Sequence, residues 1–192
     1  MNALRLRYGT DMPFSRPKRK PYSEDELYEY AVGALARRMR TVAELKRLMR
    51  ARLEEPESEY GVTLLELVIR RLKDQGYLND SQYAAYYSSM RRDNQKVGRR
   101  RVVTELKTRG VHASVIDQAV ESAYEGVSEE KQAREYLRKK RVNKPKNQKE
   151  TARIFRQLVR AGFGSRTIFG ILKKWDVDDE MLSALESETP EQ

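Results

Sequence analysis

Residues 96–111 read KVGRRRVVTELKTRGV, and this stretch decides how the chain folds. Val102, Val103 and Leu106 share one face of a helix, and Gly110 follows at a position where a helix end favours a left-handed residue. The helix opens with three consecutive arginines, although the helix dipole repels cations from that end. These arginines either extend into solvent at a small cost, or they and the free amides of the helix start bind an anion.

The same pattern recurs elsewhere in the chain, which indicates an internal repeat. The segment VVTELKTRGV at residues 102–111 corresponds to IFRQLVRAGF at residues 154–163. Leu106 is matched by Leu158, and Gly110 by Gly162. A looser copy, LKRLMRARL, lies at residues 45–53, where Arg52 replaces the glycine. A unit of about fifty residues buries too little surface to be stable alone, so neighbouring units are expected to share buried surface.

The sequence therefore predicts an all-α protein, a tandem array of three three-helix units that forms an elongated, curved helical repeat. Few stretches alternate with a period of two, so no sheet is expected. Capping boxes at residues 23–26 and 41–44 mark two helix starts, and Asp80 or Ser81 is expected to cap a third. The expected helices are 24–38, 42–53, 59–75, 81–95, 99–109, 114–125, 129–141, 148–161 and 165–175.

Composition sets the expected boundaries of the helical body. Residues 1–22 contain three prolines and show little helical period, so we expect a basic N-terminal arm. Residues 178–192 are expected to form an acidic tail with a short helix. The three units between them are predicted at 23–79, 80–127 and 128–177.

The overall charge points to a polyanion or an acidic protein surface as partner. Lysine and arginine outnumber aspartate and glutamate by 39 to 29, which gives a net charge of +10. The alternative is a basic protein that its charge keeps soluble. The absence of cysteine excludes disulfides and thiolate metal sites, and one histidine, His112, is too few for most histidine sites. Without an apolar run near the ~18 residues of a membrane span, and without a signal peptide, a cytoplasmic location is expected.

The basic residues that carry the binding prediction fall into clusters. The first comprises Arg91, Arg92, Lys96, Arg99, Arg100, Arg101, Lys107 and Arg109. The second comprises Arg138, Lys139, Lys140, Arg141, Lys144, Lys146 and Lys149. The fourteen residues of these two clusters other than Lys149 are the predicted binding surface. A third lies at residues 36–40 and continues with Lys46, Arg47, Arg50 and Arg52. One interpretation is an electrostatic strip for phosphates or acidic side chains, and the other is the solvated faces of surface helices.

No pattern in the sequence indicates catalysis. A glycine-rich phosphate loop, an HExxH motif and a nucleophile elbow are all missing, so no enzymatic activity, catalytic residue, cofactor or metal is expected. The tyrosines of YAAYYSSM could stack on bases. However, Tyr83, Tyr86, Tyr87 and Met90 are spaced as one helix face, which favours core packing.

The central stretch, GYLNDSQYAAYYSSMRRDNQKVGRRRVVTELKTRGV, resembles the RecX family of bacterial RecA regulators. The similar features are GYLND at residues 76–80, the aromatic and alanine-rich helix after it, the basic turn with Gly98, and ELxxxGV at 105–111. ALARRMRTVAELKRLM at residues 34–49 resembles the family's first unit. Together these features cover about residues 24–175, whereas the basic arm and the insertion EEPESEYGV depart from the family pattern.

The resemblance implies tandem three-helix units and a non-enzymatic function. A RecX protein regulates RecA, mainly as an inhibitor, by binding the RecA filament on single-stranded DNA. The implied effects are on ATPase, strand-exchange and coprotease activity in DNA repair and the SOS response. The implied partners are RecA and its filament, with weaker direct nucleic-acid binding and no membrane, and we expect a monomer.

Two other function classes fit the residues. A general DNA-binding helical protein, or a helix-turn-helix-like transcription regulator, would use RRRVVTELKTRG as a recognition helix and bind duplex without RecA. Dimerisation heptads, which would support that reading, are missing. A protein–protein scaffold of stacked helices would have no affinity for DNA.

Overall fold

The computed structural model describes residues 22–177 and contains nine α-helices and no strand within that range. The helices are α1 Glu24–Arg37, α2 Val42–Arg50, α3 Glu59–Asp74, α4 Asp80–Gln95, α5 Arg99–Thr108, α6 Ala113–Tyr124, α7 Glu129–Lys139, α8 Gln148–Arg160 and α9 Ser165–Lys173. Their ends lie within a few residues of the expected ones. The predictions for the acidic tail and for all of the basic arm except Tyr22 fall outside the described residues.

The helices pack in three consecutive sets, α1–α3, α4–α6 and α7–α9, which we call the first, second and third units. The prediction of an all-α tandem array of three-helix units is confirmed. The first unit has its own core around Leu45 and Leu72. The second and third units share one continuous core that joins Leu106 to Phe155 and Leu158. In residues 22–177, no helix has the length and apolar character needed to cross a bilayer.

Helix caps follow the sequence signals with one correction. Ser23 and Glu26 form the predicted reciprocal capping box at the start of α1. Asp80 and Ser81 were the expected caps of α4, and this prediction is wrong. Asn79 is the cap, because α4 begins at residue 80 and the Asn79 side chain accepts a hydrogen bond from the Gln82 amide at 3.0 Å.

Asp80 serves the neighbouring unit instead. Its Oδ1 accepts from the Val42 amide at the start of α2, at 2.9 Å. Thr41, the cap of α2, donates its hydroxyl to the Arg109 carbonyl at the end of α5, at 2.7 Å. A Cβ on Gly110 would lie 2.4 Å from the Cβ of Ala43, so only glycine allows this approach. We call this contact between the start of α2 and the end of α5 the first junction.

The same contact recurs one unit later, between the start of α5 and the end of α8, and we call it the second junction. The Gly98 amide donates to the Ala161 carbonyl at 2.8 Å. Gly162 has a φ of +88°, and a Cβ there would lie 2.3 Å from the backbone nitrogen of Arg101. Helices α2, α5 and α8 therefore form a row in which the carbonyl end of one helix lies against the start of the next. Arg52, the residue in the glycine position of the first unit, instead lies 4.6 Å from the centre of the Tyr30 ring.

Candidate functional site

The second junction explains how α5 tolerates an arginine-rich start. The N-cap residue, Gly98, provides no side-chain hydrogen bond, and the first turn contains no acid. The carbonyl end of α8 lies against this start, so the negative end of the α8 dipole faces the positive end of α5. Arg99 and Arg100 are exposed there, and Arg101 pairs with Glu105 one turn later.

A basic cleft lies beside this junction, between the second and third units. It has a volume of about 480 Å³, and no carboxylate is among the residues, all in the described part of the chain, that line it. The cleft contains five cations, two glutamine amides and one tyrosine. Four of the cations lie on α4, α5, α7 and α8, and the fifth, Lys140, follows the end of α7. The lining residues are Arg91, Gln95, Val97, Arg101, Tyr136, Lys139, Lys140, Gln157, Arg160 and Ala161.

The two arginines on the α4–α5 side are held by Glu105. Its Oε1 accepts from Arg101 Nε at 2.7 Å and also pairs with the guanidinium of Arg91, while Oε2 accepts from the Tyr87 hydroxyl at 2.9 Å. Burial alone would raise the pKa of Glu105, but the hydrogen bonds from Arg101, Tyr87 and Arg91 outweigh it and lower this pKa. Glu105 is therefore ionised at neutral pH.

The cations on the third-unit side are held more loosely. Lys139 donates to the Asn94 carbonyl, and Lys140 lies 6.0 Å from the centre of the Tyr136 ring. Arg160 is exposed in the last turn of α8, where its charge suits the helix dipole. Among the ion pairs described for residues 22–177, none involves these three side chains. The charges of these three side chains are therefore available to bind an anion in the cleft.

The cleft brings together four of the fourteen residues predicted as the binding surface, namely Arg91, Arg101, Lys139 and Lys140. Four others have internal partners, in the pairs Arg92–Asp93, Lys96–Glu135, Arg109–Glu44 and Lys144–Asp176. The remaining six are exposed outside the cleft lining: Arg99, Arg100, Lys107, Arg138, Arg141 and Lys146.

Sequence reasoning missed Arg160 and Gln157, which the cleft includes. The repeat alignment puts both near Gly162, but nothing in the sequence indicated that this glycine meets the start of α5. The prediction for the tyrosine face needs correction at Tyr86. Tyr86 is 61 % exposed, because the buried arc of α4 runs from Tyr83 through Ala84 and Ser88, and residue 86 lies on the other side of Tyr83.

Comparisons with known proteins agree with this architecture. Residues 79–120 match the family model described as "RecX, second three-helix domain". Two solved RecX structures, one of them from Lactobacillus salivarius, share the fold. The Lactobacillus structure superposes with a TM-score of 0.62 at 19 % identity over 80 % of this chain and 96 % of that one. The other gives a TM-score of 0.63 at 20 % identity, over 79 % and 71 % of the two chains.

Curated sequences give a closer relationship. The chain is 30 % identical over 182 residues to a protein from Myxococcus xanthus named "Regulatory protein RecX", covering 88 % of this chain and 94 % of the relative. It is 32 % identical over 161 residues to the protein of that name from Deinococcus radiodurans, covering 83 % and 72 %. With this identity over most of both chains, and with its tandem three-helix units, the protein belongs to the RecX family.

Proposed function

We propose that this protein regulates RecA, mainly as an inhibitor, by binding the RecA–single-stranded DNA filament. It acts in the cytoplasm as a monomer and modulates the ATPase, strand-exchange and coprotease activities of RecA in DNA repair and the SOS response. The observation that carries the proposal is a basic cleft between units of a RecX-family chain. Its five cations fit a filament that carries the phosphates of bound DNA.

The mechanism is binding and obstruction, without chemistry by this chain. A tandem array can contact several neighbouring protomers of a filament, and each bound unit raises the effective concentration of the next. Modest contacts therefore sum to firm binding. A chain bound in this way caps filament growth or holds adjacent protomers against the rearrangement that accompanies ATP hydrolysis.

The packing of α5 disfavours the reading as a transcription regulator. Recognition helices contact base edges with their N-terminal residues. Here Ala161 and Gly162 lie against the backbone at the start of α5, and Gly98 donates its amide to Ala161, so that only the side chains of this turn face solvent. Only the outer face of α5 is left for DNA.

The test is a titration of the purified protein into the DNA-dependent ATPase assay of RecA on circular single-stranded DNA. One variant, Arg101→Gln with Arg160→Gln, removes two charges that line the cleft. A second, Arg99→Gln with Arg100→Gln, removes the same number of charges from the same helix start but outside the cleft lining.

We expect the wild-type protein to inhibit well below one molecule per RecA, and the cleft variant to need about tenfold more protein. The Arg99 and Arg100 variant should stay close to wild type. Inhibition that begins only when the protein coats the DNA would contradict the proposal and favour general nucleic-acid binding. A normal cleft variant with a weak Arg99 and Arg100 variant would move the contact to the exposed start of α5.

A further inference from the structure

One carboxylate holds two of the five cations in the cleft. Arg91 and Arg101 both bind the same oxygen, Oε1 of Glu105, and the other oxygen accepts from Tyr87. Glu105 lies in the middle of α5, and its side chain is only 16 % exposed. Its charge therefore acts at short range and with little screening on the arginines that line the cleft.

Glu105 satisfies these arginines incompletely. A guanidinium has five N–H donors, and Arg101 gives Glu105 only its Nε, while its side chain is 47 % exposed. The Nε of Arg91 is buried and has no hydrogen-bond partner among the described residues. The terminal nitrogens of Arg101 can therefore bind a second anion while Glu105 keeps hold of Arg91.

We propose that Glu105 is an internal counter-ion that limits the affinity of the cleft for the phosphodiester backbone of single-stranded DNA. A phosphate bound in the cleft contacts the terminal nitrogens of Arg101, whose charge Glu105 already partly neutralises, and Glu105 keeps Arg91 in position. This proposal rests on the proposed function, because it takes the DNA of the RecA filament to be the single strand that enters the cleft.

The geometry favours a phosphodiester strand over other anions. Guanidinium forks match the oxygens of a phosphate, and two lysines and Arg160 add charge from the opposite wall. Five cations in about 480 Å³ suit a ligand with closely spaced negative charges. A single strand is narrower than a duplex, so we expect it to enter a cleft of this volume more readily.

The test measures the binding of a labelled oligothymidine by fluorescence anisotropy at several salt concentrations, without RecA. Glu105→Gln keeps an oxygen for Tyr87 but removes the charge that partly neutralises Arg101. The matched control is Glu130→Gln, because Glu130 also pairs with two cations, Arg134 and Lys174, and none of the three lines the cleft.

We expect Glu105→Gln to bind the oligonucleotide about fivefold more tightly than wild type. The slope of log K against the logarithm of the salt concentration should become steeper by about 0.7, which is the value for one more phosphate contact on a single strand. Glu130→Gln should stay within twofold of wild type. In an Arg101→Gln background the gain from Glu105→Gln should disappear, because the effect acts through Arg101. Glu105→Asp, which keeps the charge but withdraws it by one methylene, should give a smaller gain and serves if Glu105→Gln does not fold.

Several results would overturn the proposal. One is a folded Glu105→Gln protein with wild-type or weaker affinity, and another is an equal gain from Glu130→Gln, which would indicate net charge alone. An equal gain for a duplex would exclude entry of a single strand, and an equal gain for polyglutamate would assign the cleft to an acidic protein surface. Wild-type inhibition of the RecA ATPase together with any of these results would leave the proposed function standing and remove only this inference.

Discussion

At both junctions of this protein, a helix end that contains a glycine docks on the start of another helix, but the charges at those helix starts are opposite. The hydrogen bond also differs, because the Thr41 hydroxyl donates at the first junction and the Gly98 amide donates at the second. At the first, the start of α2 has Thr41 as its cap and Glu44 in its first turn. At the second, the start of α5 has Gly98, no side-chain cap and no acid in its first turn. The shared geometry shows that a glycine-containing helix end docking on the next helix start is what joins the units.

The difference between the junctions lies in which charges have an internal partner. Glu44 binds Arg109 at 2.6 Å, and Arg109 also lies 4.9 Å from the centre of the Tyr87 ring, so the cation at the first junction is already paired. At the second junction, three of the cleft cations have no carboxylate partner among the ion pairs described for residues 22–177. We therefore expect the first junction to contribute to stability, and we propose that the second contributes to both stability and binding.

The largest effect is expected from Gly162→Ala at the second junction. Residue 162 has a φ of +88°, and a Cβ there would lie 2.3 Å from the backbone nitrogen of Arg101. Strain and overpacking together should lower the free energy of unfolding by about 3–5 kcal/mol, as measured by urea denaturation. Gly76→Ala is the control, because φ is +75° there but nothing lies within 4 Å, so about 1–2 kcal/mol is expected. An equal loss of unfolding free energy in the two variants would mean that the close approach to Arg101 does not add to the destabilisation.

A smaller effect is expected from Arg109→Met at the first junction. The change leaves the Glu44 carboxylate, only 12 % exposed, without its cation, and should lower the free energy of unfolding by about 2 kcal/mol. Affinity for oligothymidine should stay within twofold of wild type. Lys107→Met removes the same charge from an exposed position on α5 and should cost less than about 0.5 kcal/mol. A greater loss of DNA binding in Arg109→Met than in Lys107→Met would contradict the structural role of the pair.

The smallest effect is a pH dependence at the second junction. Although burial opposes it, hydrogen bonding from Arg101, Tyr87 and Arg91 lowers the pKa of Glu105 below 4.5, so the ionised side chain stabilises the folded state. This contribution is fully present above pH 4.5 and is lost as the pH falls through the lowered pKa. Wild type should therefore exceed Glu105→Gln in unfolding free energy at neutral pH, and the difference should shrink in acid. A difference between wild type and Glu105→Gln that stays constant as the pH falls would refute this role of the ionised side chain.

The sequence predicted the helices well because their signals are local. Ser23 with Glu26, and the glycines at 110 and 162, mark helix ends through neighbours in the chain. The repeat also matched Leu106 with Leu158, and both side chains are buried in the structure. The helix ends in particular depend only on residues within one or two helical turns.

What the sequence could not predict depends on contacts between distant segments. Arg109 and Glu44 are 65 residues apart, so the sequence could not show that this cation is paired internally. Nor could it show that Arg160 lies across a cleft from Arg101, because that distance depends on how the third unit docks on the second. The cap of α4 was missed for a different reason, since Asn79, Asp80 and Ser81 are all good capping residues.

The most direct test compares the two regions in the RecA ATPase assay on single-stranded DNA. One variant neutralises three cleft cations, Arg101, Lys140 and Arg160, to glutamine, and the other neutralises the exposed Arg37, Arg47 and Arg70 of the first unit. We expect the cleft variant to need a more than tenfold higher concentration for half-inhibition, while the first-unit variant stays within threefold of wild type. Equal weakening of both variants would show that net charge, rather than the cleft at the second junction, is responsible for binding.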